Sequence, residues 1–290
     1  MTDATFTEHF FTTADGPRLN WRDYPAIGPE TGLPVLCLHG LTRNVKDFED
    51  LAPMIAATGR RVIAVSARGR GRSDHDPVAE RYQPPVYAGD ILALMAEIDL
   101  PRAVFVGTSM GGLMTFIIAG LHPERIAAAV INDIGPEIAV EGLDRIKANV
   151  SSREPVSSWA EAAARTRQAN LAAFPKRADD EAFWEDFARK TWVERADGMI
   201  ALAYDGALVD QMEDGAPLPD LWPFWTPFAD IPALVVRGGI SDLLTPATIA
   251  EMKRQKPDLR VVEVPDVGHA PFMTEPEAWA GIQALLKAAD

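Results

Sequence analysis

Ser109 stands where a serine could act as a nucleophile. It sits in Gly107-Thr108-Ser109-Met110-Gly111-Gly112, after the apolar, β-branched run Val104-Phe105-Val106 and directly before the helical stretch Leu113-Met114-Thr115-Phe116-Ile117-Ile118-Ala119. Strand, sharp turn and helix in that order push the serine beyond the carboxyl end of a sheet, and the flanking glycines keep Cβ atoms out of the bend. A serine hydroxyl is a weak nucleophile at neutral pH. It needs an adjacent base, usually histidine, and a carboxylate that fixes the tautomer of that histidine. His269 qualifies as the base, because Asp266-Val267-Gly268-His269-Ala270-Pro271 follows a strand and forms a loop on the same sheet edge as Ser109. His9, His75 and His122 fall in a hairpin, a charged loop and a helix end, where structural or solvated roles are expected.

Two aspartates compete for the third position. Asp242 follows the run Val235-Val236-Arg237-Gly238, and Asp133 follows Val130-Ile131-Asn132. The reading takes Asp242, on the order serine, aspartate, histidine, although Asp242 could also form a turn or cap the helix that starts near Thr245-Pro246. Acyl transfer further needs donors for the developing oxyanion. The backbone N–H of Met110, at the head of a helix, and that of Leu41, after His39-Gly40, are the candidates. Arg43 and Asn44 lie just beyond that loop and could meet a substrate carboxylate or carbonyl, or tie the loop down.

The elements that must position these groups alternate along the chain. A hairpin is expected within 6–24, turning at Asp15-Gly16. Short continuous apolar runs, the mark of strands buried on both faces, occur at 34–38, 61–66, 104–106, 127–132, 232–238 and 260–265. Helical spacing appears at 47–57, 86–98, 113–119 and 276–289. The alternation implies an α/β fold with a mostly parallel sheet flanked by helices. It breaks over 135–229, a stretch with helical patterns and five of the seven tryptophans, Trp159, Trp184, Trp192, Trp222 and Trp225. That stretch reads as a helical insertion into a core made of 1–134 and 230–290.

Composition narrows the function. A net charge of -14 disfavours nucleic acid and anionic membranes as partners. No apolar run approaches the ~18–20 residues of a membrane span. The first twenty residues lack a basic start followed by an apolar run, so no signal peptide is expected and a cytoplasmic location is. The single cysteine, Cys37, lies in an apolar run and reads as a small buried hydrophobe. Spaced Cys/His clusters and a dinucleotide-binding Gly-x-Gly-x-x-Gly turn after a strand are absent, so neither metal nor cofactor is expected.

Taken together, His39-Gly40-Leu41, the loop Arg68-Gly69-Arg70-Gly71-Arg72-Ser73, the Ser109 turn, 239–242 and Gly268-His269 resemble the α/β-hydrolase family over nearly the whole chain. The resemblance implies that 135–229 is a helical cap over the active site. It also implies a hydrolase with a serine nucleophile, cleaving a carboxylic ester or lactone. A small-molecule substrate with an apolar or aromatic acyl part follows from the tryptophans, unless they are cap core. Ser66 departs from the aspartate that many members carry before the Arg-Gly-x-Gly loop. The rival reading is a carbon-carbon bond hydrolase of ring-cleavage products, against which Leu41-Thr42-Arg43-Asn44 departs from the Gly-Pro-Gly run common there. Cofactor-free perhydrolase or oxygenase chemistry and a non-catalytic ligand receptor are further alternatives. The oligomeric state is not legible in the sequence.

Overall fold

The short apolar runs become the strands of one eight-stranded sheet. The structure, a computed structural model, describes residues 5–150, 153–210 and 220–289. Its strands are β1 (Thr7–Thr12), β2 (Arg18–Tyr24), β3 (Val35–Leu38), β4 (Val62–Val65), β5 (Ala103–Thr108), β6 (Ile126–Asn132), β7 (Trp192–Glu194), β8 (Ile200–Leu202), β9 (Ala233–Gly238) and β10 (Arg260–Val264). The helices are α1 (Leu51–Ala56), α2 (Pro84–Glu97), α3 (Met110–Leu121), α4 (Val140–Val150), α5 (Trp159–Asn170), α6 (Glu181–Thr191), α7 (Ala207–Asp210), α8 (Trp222–Trp225), α9 (Pro246–Gln255) and α10 (Pro276–Leu286). The large sheet runs β1-β2-β4-β3-β5-β6-β9-β10. The β1/β2 hairpin and the β2/β4 pair are antiparallel, and every other pair is parallel.

Alternate residues of each strand serve the two faces. Leu36, Leu38, Ile63, Val65 and Phe105 pack with Met114, Phe116 and Ile118 on one side. Val35, Cys37, Val62, Ala64, Val104 and Val106 pack with Phe48, Leu51, Ile55, Ile282 and Leu285 on the other. Cys37 is fully buried there, and burial raises its thiol pKa, so it stays protonated. The helix expected over 47–57 is in fact a 3₁₀ turn, Val45–Phe48, followed by α1. Pro53 has no N–H to give to the carbonyl of residue 49, and its ring would collide with it, so one continuous helix cannot pass.

Between β6 and β9 the sheet pattern gives way to α4–α8 and the two-stranded β7/β8 ribbon. Phe174, Trp184, Phe187 and Trp192 form an apolar cluster within this insertion. Trp225 behaves differently. It stacks on Phe228 at 4.8 Å and meets Phe116 of α3 edge-on at 5.9 Å, so α8 belongs to the packing of the main sheet. The insertion is tied to the sheet body by Gly71 N–H to the Ala203 carbonyl (2.8 Å), Asp205 N–H to the Gly69 carbonyl (2.8 Å) and Lys190 Nζ to Asp50 (2.5 Å). Among the described residues no helix is long and apolar enough to cross a membrane.

The junction of β5 and α3 depends on close backbone approach. A Cβ on Gly111 would strike the Leu38 carbonyl, and one on Gly107 would strike the backbone of Gly111. Gly89, inside α2, has open space around it. Gly111→Ala is therefore expected to lower unfolding free energy by about 1–3 kcal/mol. Gly89→Ala is expected to raise it by about 0.5–1 kcal/mol. Urea unfolding midpoints of the two variants against the parent check both signs.

Candidate active site

Ser109 lies between β5 and α3 with φ +51° and ψ -113°, a conformation that costs a non-glycine residue and holds its side chain outward from the turn. Its N–H donates to the Asn132 carbonyl at 2.9 Å, which binds the tip of the turn to the end of β6. One residue further, Asp133 is fully buried, also at positive φ (+55°), with its N–H on the Val236 carbonyl at 2.8 Å. His269 comes from the loop after β10.

A continuous hydrogen-bond chain joins the three. Ser109 Oγ and His269 Nε2 are 2.9 Å apart, and His269 Nδ1 and Asp133 Oδ2 are 2.8 Å apart. A carboxylate is the acceptor at Nδ1, so Nδ1 carries the proton and Nε2 is left free to accept one from the serine. Asp133 has two further donors: Gly238 N–H to Oδ1 at 2.7 Å and Ser241 Oγ to Oδ2 at 2.6 Å. Ser241 must be the donor, since its oxygen already accepts from Leu243 N–H and Leu244 N–H, each at 3.2 Å.

The carboxylate that meets His269 is thus Asp133, not the Asp242 expected from the sequence. Asp242 is gripped by Arg145 of α4, whose Nε and Nη2 reach its two carboxylate oxygens at 2.5 and 2.8 Å. That guanidinium holds the Asp242 carboxyl below the usual carboxylate range. The carboxylate is already engaged, and the preceding residue, Ser241, is the one that turns toward the relay. Sequence reasoning missed Ser241 altogether; a hydroxyl beside a candidate acid in Gly239-Ile240-Ser241-Asp242 was the available signal.

The loop that carries Leu41 is fixed through His39. Its ring is fully buried and bridges the Gly40 carbonyl (Nδ1, 2.7 Å) and the Ala67 N–H (Nε2, 2.9 Å). An amide N–H can only donate, so Nε2 is the acceptor and Nδ1 carries the proton. Burial pushes the histidine pKa down to about 3, which keeps the ring neutral. A Cβ built on Gly40 would lie 3.7 Å from Ser109 Cβ, so this loop runs beside Ser109. Neither Leu41 N–H nor Met110 N–H has a hydrogen-bond partner among the described residues, which leaves both available to a ligand.

These groups open into a cavity of about 700 Å³ between the sheet edge and the insertion. Arg43 lines it but is engaged, with Nε on both Asp47 oxygens (2.8 and 3.0 Å), Nη1 on Thr191 Oγ (2.6 Å) and its guanidinium 4.3 Å from the Phe187 ring centre. Asn44 does not line the cavity and takes the loop-tying role of the two expected for it. It is buried, accepts from Lys46 N–H at 3.0 Å and donates to the Lys190 carbonyl at 2.9 Å, so it fastens the loop to α6. Phe174, Phe187 and Trp192 give the cavity an apolar wall, with Asn149, Gln168 and Tyr204 also facing it. Trp159, Trp184, Trp222 and Trp225 do not line it. No group of three His, Cys, Asp or Glu among the described residues could hold a metal ion.

Replacing Asp133 by Asn presents an N–H to Nδ1 and favours the wrong histidine tautomer. Asp133→Asn is expected to slow phosphonylation of Ser109 by a fluorophosphonate ~10⁴-fold. Asp242→Asn, which breaks a part-exposed ion pair, should stay within about fivefold. Inactivation rates of the two variants decide between the aspartates.

Comparison with known proteins gives the family. The family model for the alpha/beta hydrolase fold matches residues 34–276. The chain is 34% identical over 250 residues to the 3-hydroxybutyrate-oligomer hydrolase of Cupriavidus necator, covering 83% of this chain and 84% of that protein. It is 31% identical over 251 residues to the 2-(acetamidomethylene)succinate hydrolase of Mesorhizobium japonicum, covering 85% of each. A solved α/β hydrolase from Novosphingobium aromaticivorans superposes with a TM-score of 0.90 at 39% identity, over 98% of this chain and 99% of that one. With its parallel sheet, its serine turn after β5 and these relatives, the chain belongs to the α/β-hydrolase family and is a hydrolase.

Proposed function

We propose that this hydrolase cleaves a carboxylic ester or lactone through an acyl-enzyme, with Ser109 as nucleophile, His269 as base and Asp133 as the acid that orients it. The observation that carries the reading is the unbroken relay from Ser109 Oγ through His269 to Asp133. Ser109 Oγ attacks the carbonyl carbon while His269 Nε2 takes its proton. The N–H groups of Leu41 and Met110 receive the charge that forms on the carbonyl oxygen. His269 then gives its proton to the departing alkoxide, and a water attacks the acyl-enzyme by the same steps in reverse roles.

The cavity supports a small substrate with mixed polarity. Phe174, Phe187 and Trp192 suit an apolar acyl chain, while Asn149, Gln168 and Tyr204 suit a second oxygen function on the same molecule. An ester of a short hydroxy acid has both, and the relative from Cupriavidus necator, named for 3-hydroxybutyrate oligomers, supports that class.

The test is turnover of p-nitrophenyl acetate, butyrate and octanoate, a 3-hydroxybutyrate dimer, a lactone and a ring-cleavage dienoate, by the parent and by Ser109→Ala. The hydroxybutyrate dimer and short esters are expected to be cleaved, with a loss of at least ~10⁴-fold in Ser109→Ala. Turnover of the dienoate alone would replace the ester reading with carbon-carbon bond hydrolysis, and a fully active Ser109→Ala would remove Ser109 from the mechanism.

A further inference from the structure

Arg70 is fully buried, and its side chain reaches both residues whose N–H groups are the candidate oxyanion donors. Its Nε donates to the Leu41 carbonyl at 2.9 Å, and its Nη2 lies 3.5 Å from Met110 Sδ. Nη1 donates to the Arg68 carbonyl at 2.7 Å, and the guanidinium sits 4.7 Å from the Tyr87 ring centre and 5.6 Å from that of Tyr82. Among the described residues no carboxylate pairs with it. The neighbouring Arg68, by contrast, is met by Asp15, Asp76 and Asp90.

A buried guanidinium without a counter-ion is costly unless its position is useful or its charge is answered when a ligand binds. We propose that Arg70 is the positioning residue of the oxyanion hole: one buried cation pins the Leu41 and Met110 donors to each other and answers the negative charge that appears between them. The inference rests on the serine-hydrolase reading above. The peptide joining Gly40 to Leu41 is held through its carbonyl, which accepts from His39 Nδ1 at 2.7 Å and from Arg43 N–H at 3.1 Å. In a planar trans peptide the Leu41 N–H then points the opposite way. Arg70 holds the next peptide through the Leu41 carbonyl, so both peptide planes around Leu41 are fixed, one by a neutral histidine and one by a cation. The same cation presses on the side chain of Met110, the first residue of α3. After burial, the positive charge of Arg70 is among the causes that keep His39 neutral, so the charge is felt within the loop. Among the described residues no hydrogen bond joins Arg70 to Ser109, His269 or Asp133, which separates its role from that of the relay.

The experiment compares inactivation of the full chain by a fluorophosphonate with inactivation by its P=S counterpart. Oxygen fits and accepts from the donors; the larger, weakly accepting sulfur does so poorly, so the P=O/P=S rate ratio reads the hole and not the relay. Labelling at Ser109 is confirmed by mass spectrometry. Arg70→Met is expected to lower the P=O rate ~30-fold and the ratio ~10-fold, which is less than deletion of a donor itself. Arg70→Lys keeps the charge but not the three-way reach and is expected to fall between; it also carries the same test if Arg70→Met does not fold. A ratio equal to the parent in a folded variant, whatever the absolute rates, reduces Arg70 to a structural residue and overturns the proposal. Absence of Ser109 labelling in the parent overturns the serine-hydrolase reading, and the Arg70 inference with it. Labelling without turnover of any ester would sink only the substrate assignment and leave the ratio to judge Arg70.

Discussion

A carboxylate taken wholly out of water has to be satisfied by donors, and the site is assembled around that requirement at Asp133. Its partners are a backbone N–H from the end of β9, a hydroxyl from the loop that follows, and an imidazole from the loop after β10. Satisfying one anion therefore fixes two separate pieces of chain, 238–241 and the loop that carries His269. The histidine is held in a single tautomer by the same contact, and the serine turn is fastened to the residue before Asp133. The geometry at Ser109 Oγ follows from the carboxylate's need for donors and from the pairing of β5, β6 and β9.

The two arginines of Arg68-Gly69-Arg70-Gly71 show how one loop can serve opposite electrostatic ends. Gly69 and Gly71 adopt φ of +74° and +58°, which lets the backbone coil tightly enough for both side chains to turn inward. Arg68 closes the strand edge against three aspartates, while Arg70 faces carbonyls, a sulfur and aromatic rings. Ser66 is buried and accepts the Val45 N–H at 3.1 Å, and its carbonyl accepts from Ser73 Oγ at 2.7 Å.

The placement of Ser109 and His269 side by side was legible in the sequence because each is marked locally: a glycine-flanked turn between strand and helix, and a loop after a buried run. The parallel sheet was legible for the same reason, since fully buried strands such as β3, β4 and β6 are unbroken apolar runs. The acid was not. Both Asp133 and Asp242 lie between Ser109 and His269, so chain order could not separate them. What separates them is direction. Asp133 turns into the interior at positive φ, while Asp242 is drawn outward by an arginine 97 residues away in the chain. A long-range ion pair leaves no local trace, and the same holds for Asn44, whose partner is a carbonyl on α6. The boundary of the insertion was blurred likewise: Trp225 has the same composition signal as Trp184, yet packs on α3.

The strands β6 and β9 are neighbours in the sheet although the chain leaves it from 133 to 232. Their pairing clamps both ends of a long excursion, and the entropy of closing such a loop grows only logarithmically, by about 0.6 kcal/mol for each doubling of its length. Lengthening or exchanging the middle of that excursion therefore costs the sheet little, provided Asp133 at its root and the pairing of β6 with β9 are kept. The strand pairing that places Ser109 and Asp133 is in this way set outside the excursion, which touches the site through the ties of Arg43 and Asn44 to α6. The reacting atoms are set by strands of fixed register, and the walls by a segment free to vary in length, so specificity in this scaffold can drift without rebuilding the chemistry.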